Sequence, residues 1–153
     1  MAEDKVDMPI GREMDAHVLE LMGWVWWAEE RGSYVCFVAQ QPGEREPWHK
    51  HRDAEANKAR FRRASAGEIN FARHLVPILD DERYRVSTSV AAAWNDVAEP
   101  LRLAVLPQIG GSLWQARSIV HERDETASGW CLRMPEAVCR CAMKVKALAA
   151  ARE

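Results

Sequence analysis

Apolar positions recur at helical spacing between Arg12 and Met22, where Met14, Val18, Leu21 and Met22 form one stripe. Gly23 follows, a residue suited to the left-handed turn that closes a helix. The pattern then changes to that of strands. Trp24–Glu29 and Ser33–Gln40 are rich in aromatic and β-branched residues, with Glu30-Arg31-Gly32 as a short turn between them, which predicts a β-hairpin. In its second strand Val35, Phe37 and Ala39 share one face, and Tyr34, Cys36 and Val38 the other. Residues 41–67 break the pattern: they open on Pro42-Gly43, contain Pro47 and are dense in charge. Over Asp53–Ala64 the only large apolar residue is Phe61, so a solvated helix or a mobile insertion is expected there. Phe71–Leu79 is apolar enough to rejoin the fold.

The order then repeats. Ser87-Thr88-Ser89 supplies helix N-caps, and Val90, Ala93, Trp94 and Val97 follow at the spacing of a buried stripe. Pro100 is expected to end that helix. Leu101, Leu103 and Val105 alternate with Arg102 and Ala104 as a half-buried strand does. Gly110-Gly111-Ser112 turns the chain, and Trp114, Ala116, Ser118 and Val120 share a face of a return strand. A polar loop over Glu122–Gly129 precedes Pro135, which suits the first turn of a helix. That helix carries the stripe Val138, Cys141, Ala142, Val145 and Leu148, with a Glu136–Arg140 pair on its exposed face. Two hairpins and their helices predict an α+β fold: one four-stranded, largely antiparallel sheet covered by helices, with 41–67 as a charged insertion.

Composition is compatible with one domain. A chain of 153 residues, 48% hydrophobic and 29% charged, hides roughly 70% of its extended surface on folding. No run approaches the roughly 18 apolar residues of a membrane span, and the polar start Met1–Asp7 lacks the apolar core of a signal peptide. Four cysteines are too sparse for a disulfide scaffold, so reduced thiols and a cytoplasmic location are expected. A formal net charge of −2 excludes a strongly basic nucleic-acid binder on bulk charge, although not a local basic patch. The seven tryptophans belong mainly to the expected core, and any left exposed are candidates for stacking a ligand.

Three stretches carry a family likeness. MDAHVLELMGWVWW (from Met14), VSTSVAAAWNDVAE (from Val86) and PEAVCRCAMKVKAL (from Pro135) resemble the opening helix, the Ser-Thr helix entry and the closing helix of small phage and prophage proteins of the phage ABA sandwich domain type. The likeness covers most of the chain outside Gln41–Val76. It departs at Ser89, where that family commonly has Asp, and in the length of the charged insertion. The resemblance implies an α-β-α sandwich and a phage protein acting in the host cell. It implies no reaction.

Candidate chemistry is thin outside the insertion. His49-x-His51 supplies two metal ligands where a site needs three or four, and His17, His74 and His121 are scattered. Cys139 and Cys141 lack redox or zinc spacing and point about 200° apart on a helix, which places only Cys141 on the stripe. Helix capping accounts for Ser87, Thr88 and Ser89. Gly110-Gly111 lacks the flanks of a phosphate loop, and Asp80-Asp81-Glu82 lacks the ligand spacing of a calcium loop. Within 41–67, however, Arg45, Lys50, Arg52, Lys58, Arg60, Arg62 and Arg63 surround Trp48 and Phe61. Cations interleaved with aromatics hold phosphates and stack bases. The plainer reading is a solvated charged face balanced by Glu44, Glu46, Asp53 and Glu55.

The residues selected as a ligand site are Trp48, Lys58, Arg60, Arg62 and Arg63, with no catalytic set, metal or cofactor. The function expected is that of a non-enzymatic phage-type binder that interferes with a host process. Counter-defence is favoured, by sequestering a signalling nucleotide or by occupying a host defence protein. The alternatives are a nucleic-acid-binding accessory protein and a phage structural or assembly protein; self-association is left open.

Overall fold

The computed structural model describes residues 8–71, 84–120 and 124–152. The stretch after Phe71 expected to rejoin the fold, Asp80-Asp81-Glu82, His74 and His121 lie outside them. Helix α1 (Arg12–Leu21) ends as its pattern predicts, at Gly23 with φ of 90°. Strands β1 (Val25–Arg31) and β2 (Tyr34–Gln40) form the expected antiparallel hairpin, with Trp26 opposite Ala39 and Arg31 opposite Tyr34. Gly32 holds φ of 61° at the first central position of the two-residue turn, where a type II′ turn takes glycine.

The insertion carries regular structure, with a short solvent-exposed helix in the half where a solvated helix was expected. It holds a 3-10 turn (Pro47–Lys50), a one-turn helix α2 (Ala54–Lys58) and strand β3 (Phe61–Ala64). β3 pairs antiparallel with the second edge of β1, with Phe61 opposite Glu29 and Ala64 opposite Trp26. The sheet order is therefore β2-β1-β3. Strand period sorts β1 into two faces. Trp26 and Ala28 face α1 and the main core, and the Trp26 indole N–H donates to the Ala16 carbonyl at 3.3 Å. Trp27 and Glu29 face the insertion, whose Trp48 lies edge-on to Trp27 at 4.9 Å and 5.7 Å from Phe61. Those two aromatic contacts hold a highly charged segment against the sheet.

The second hairpin, β4 (Leu103–Pro107) and β5 (Trp114–Ser118), forms a separate two-stranded sheet. The expected single four-stranded sheet is thus corrected to two. β1 is already paired on both edges. β5 has its other edge closed by Ser128 and Cys131, through bonds Ser128 N–H to Ala116 O (3.0 Å) and Cys131 N–H to Trp114 O (2.8 Å). Val120, assigned to β5 from the alternation, falls beyond the strand and is exposed.

Helix α3 (Ala66–Phe71) follows β3, and the later helical stretch runs through α4 (Val90–Ala93), a π turn (Trp94–Ala98) and α5 (Glu99–Leu101). Ser89 caps it, accepting from the Ala92 N–H at 3.3 Å. Pro100 does not end the helix. In a regular α-turn its ring would meet the Asp96 carbonyl, and the wide π turn accommodates it. The π turn also shifts the buried face. Ala92 and Ala93 are followed inside by Val97 and Ala98, five residues on, so Val90 and Trp94 of the expected stripe are exposed, Trp94 to 44%.

Helix α6 (Met134–Ala151) packs on both β4 and β5 and touches α1 and α4. With neighbours on several sides it buries Cys139 as fully as Cys141, which corrects the assignment of Cys141 alone to the core. The Cys139 thiol donates to the Val86 carbonyl at 3.3 Å. Burial pushes the Cys139 thiol well up and that of Cys141 to about 11, and burial also raises Cys131. All four cysteines are free. In the native protein at pH 8, a thiol reagent is therefore expected to label partly exposed Cys36 first, and the other three only in denaturant. Mass mapping of the labelled peptides checks this; early labelling of Cys139 would contradict the packing.

Candidate functional site

The charged end of β1 and the turn into β2 meet the insertion in an open groove of about 540 Å³. Glu29, Glu30 and Arg31 come from the end of β1, Gly32 and Tyr34 from the turn and the start of β2, and His51, Asn57 and Arg60 from the insertion. Backbone bonds fix the far wall. Asp53 caps α2, Asn57 Nδ2 donates to Asp53 O at 2.8 Å, and the Arg60 N–H donates to Asn57 O at 3.0 Å. The Glu30 N–H reaches Arg60 O at 2.9 Å, continuing the β1–β3 pairing to the mouth of the groove.

Glu29 forms the floor. Strand alternation turns it to the same face as Trp27, and only 3% of the residue is exposed. Its Oε2 accepts from the Arg31 guanidinium at 2.9 Å, a contact that also raises the Arg31 pKa. Oε1 takes no hydrogen bond or ion pair from the described residues, and no fully buried side-chain oxygen there lacks a partner, so Oε1 opens to solvent in the groove. A nearly buried carboxylate with one open oxygen seeks donors from whatever enters. The rim has the opposite character. Arg31 and Arg60 offer planar guanidinium donors suited to phosphate or carboxylate, and Tyr34, 57% exposed, offers a ring face.

The five residues selected from the sequence do not come together. Arg60 lines the groove, and Lys58 is exposed at the end of α2. Arg62 and Arg63 are adjacent on a strand and so project to opposite faces of the sheet. Arg62 is bound to Glu68 at 2.9 Å, and the Arg63 guanidinium lies over the Trp27 ring at 5.4 Å. Trp48 is buried between Trp27 and Phe61, so its ring anchors the insertion rather than stacking a ligand. The exposed tryptophans, Trp94 and Trp130, line no part of the groove. Reasoning from the sequence missed Glu29, Arg31, Tyr34 and Asn57. The available signal was Glu29 itself, a carboxylate on the strand face that Val25 and Trp27 begin as apolar.

The histidine pair separates as well. His49 Nε2 approaches Glu46 at 3.4 Å, while His51 turns into the groove. Among the described residues no group of three or more His, Cys, Asp or Glu side chains is placed to hold a metal ion. A smaller recess of about 300 Å³, between α1 and the start of α3, includes Glu13, His17, Glu20 and Ser65. There Glu20 accepts the Ala66 N–H at 2.8 Å, which docks α3 on α1. Among the described residues no helix is long and apolar enough to cross a membrane.

Comparison with family models, curated proteins and solved structures found no match to this chain.

Proposed function

We propose that this chain is a non-enzymatic binding protein that sequesters a nucleotide in the groove at the turn end of the β1–β2 hairpin. The observation that carries the reading is the convergence, in one groove, of two guanidinium groups, an exposed phenol ring and a nearly buried carboxylate. Those groups match, in turn, the phosphate, the flat face and the polar edge of a nucleotide. The biological setting is interference with a host process by a phage-type protein, with a host signalling nucleotide withdrawn from its receptor. This setting rests on the likeness of the three sequence stretches to phage ABA sandwich proteins.

Calorimetric titration with nucleoside monophosphates and cyclic dinucleotides tests the reading. Saturation at a fixed stoichiometry is expected, with only shallow dependence on salt. Arg60→Ala should weaken binding about tenfold or more, the effect of losing a charge-assisted hydrogen bond. Heat absent for every nucleotide would sink the proposal. Affinity for single-stranded nucleic acid alone, falling steeply with salt, would favour an accessory role at nucleic acid instead.

A further inference from the structure

Resting on that reading, we infer that the base accepted by the groove is guanine, selected by the Glu29 carboxylate at its floor. Glu29 is nearly buried, its Oε2 is taken by Arg31 at 2.9 Å, and Oε1 has no donor from the protein among the described residues. A carboxylate only accepts, and each of its oxygens has room for two hydrogen bonds. The edge of a base that meets it must therefore present donors side by side.

Guanine does so through N1–H and the 2-amino group. Adenine sets its 6-amino group beside the acceptor N1, and cytosine sets its 4-amino group beside the acceptor N3. Uracil flanks its single N3–H with two carbonyl oxygens. Each of these three brings a lone pair toward the open oxygen of the carboxylate, where it meets repulsion instead of a hydrogen bond. Arg31 on Oε2 fixes the plane of the carboxylate without using Oε1. Tyr34 lines the same groove and supplies a ring against which the base lies, and Arg60 is left for the phosphate.

The test compares GMP, IMP, AMP, CMP and UMP by equilibrium dialysis with the full chain, together with E29Q. GMP is expected to bind about ten- to hundredfold tighter than AMP, the discrimination typical of a paired two-bond contact to a base edge. IMP, which lacks the 2-amino group, should fall between them. E29Q presents an amide N–H2 toward guanine and should bring GMP and AMP within about twofold of each other. The IMP comparison needs no variant, so it stands whether or not E29Q folds. Equal binding of GMP and AMP by the native chain would overturn the guanine assignment and leave the nucleotide reading standing. Failure of all five to bind would remove the assignment together with nucleoside monophosphates as ligands of the groove.

Discussion

Trp26→Ala should destabilise the fold by about 3–5 kcal/mol, the range for emptying a large aromatic site in a core. Trp26 lies near the start of β1, the central strand of its sheet, and is 1% exposed. Its cross-strand neighbours are Ala39 on β2 and Ala64 on β3, so two alanines make the slot that the indole fills. Tyr84 lies 6.4 Å away across the same space, itself edge-on to Trp24 at 5.6 Å. Alanines cannot move inward to fill the void, so little of the cavity is recovered by collapse. Trp26→Phe keeps a ring but loses the N–H bonded to Ala16, and should cost about 1–3 kcal/mol. Urea unfolding followed by circular dichroism measures both. A loss under about 1 kcal/mol for the alanine variant would show that the sheet and α1 are held together elsewhere.

Asp15→Ala should cost about 1–3 kcal/mol at neutral pH, whereas Asp15→Asn should cost little. Asp15 lies on α1 and is 2% exposed, and its Oδ1 accepts the Ser87 N–H at 2.7 Å. The Ser87 hydroxyl accepts in turn from the Gly11 N–H at 3.1 Å, so one short network ties the start of α1 to the entry of the later helix. Alanine strands a buried amide donor, while asparagine retains an acceptor of the same shape. The pH dependence separates charge from hydrogen bonding. Burial raises the Asp15 carboxyl, against smaller opposing effects from the hydrogen bonds of Ser87 and the charge of Arg85. A carboxyl raised in the folded state binds its proton more tightly folded than unfolded. Its contribution is therefore greatest below the ordinary carboxylate value of 3.8 and is lost as pH rises from there through the raised folded value. Asp15→Asn should remove that decline across the acidic range. An unchanged slope of stability against pH in this variant would assign the decline to other groups.

Local periodicity made α1, the first hairpin, β4–β5 and α6 legible, because each carries its own repeat of two or 3.6 residues. β3 had no such signature. It reads Phe-Arg-Arg-Ala, and it is a strand because β1 offers it an open edge and because Trp48 and Phe61 are anchored on Trp27. The π turn escaped for a different reason: a five-residue repeat of buried pairs cannot be told from a broken α-stripe by spacing alone. For the candidate groove, charge density pointed to the insertion, which contributes Arg60 to its lining. Neighbourhood along the chain then misled, since alternation on β3 parts Arg62 from Arg63, and the carboxylate at the centre of the groove lies on β1. The α+β class was legible, whereas the division into two sheets depended on which edges were already taken.

The placement of β3 also sets an order in time. β1 and β2 are joined by two residues, and such a hairpin closes in about 1–10 μs. β3 must return to β1 from beyond the whole 32–60 stretch, with a larger closure entropy, and it forms a four-residue edge. Segments with few buried contacts open at low free energy, and β3 fully buries none of its four residues. Arg60 and Asn57 stand on the approach to that strand, opposite Glu29 and Tyr34 on the hairpin. Under the proposed function, occupancy of the groove and closure of this edge would form one coupled equilibrium, with the bound nucleotide a latch on β3.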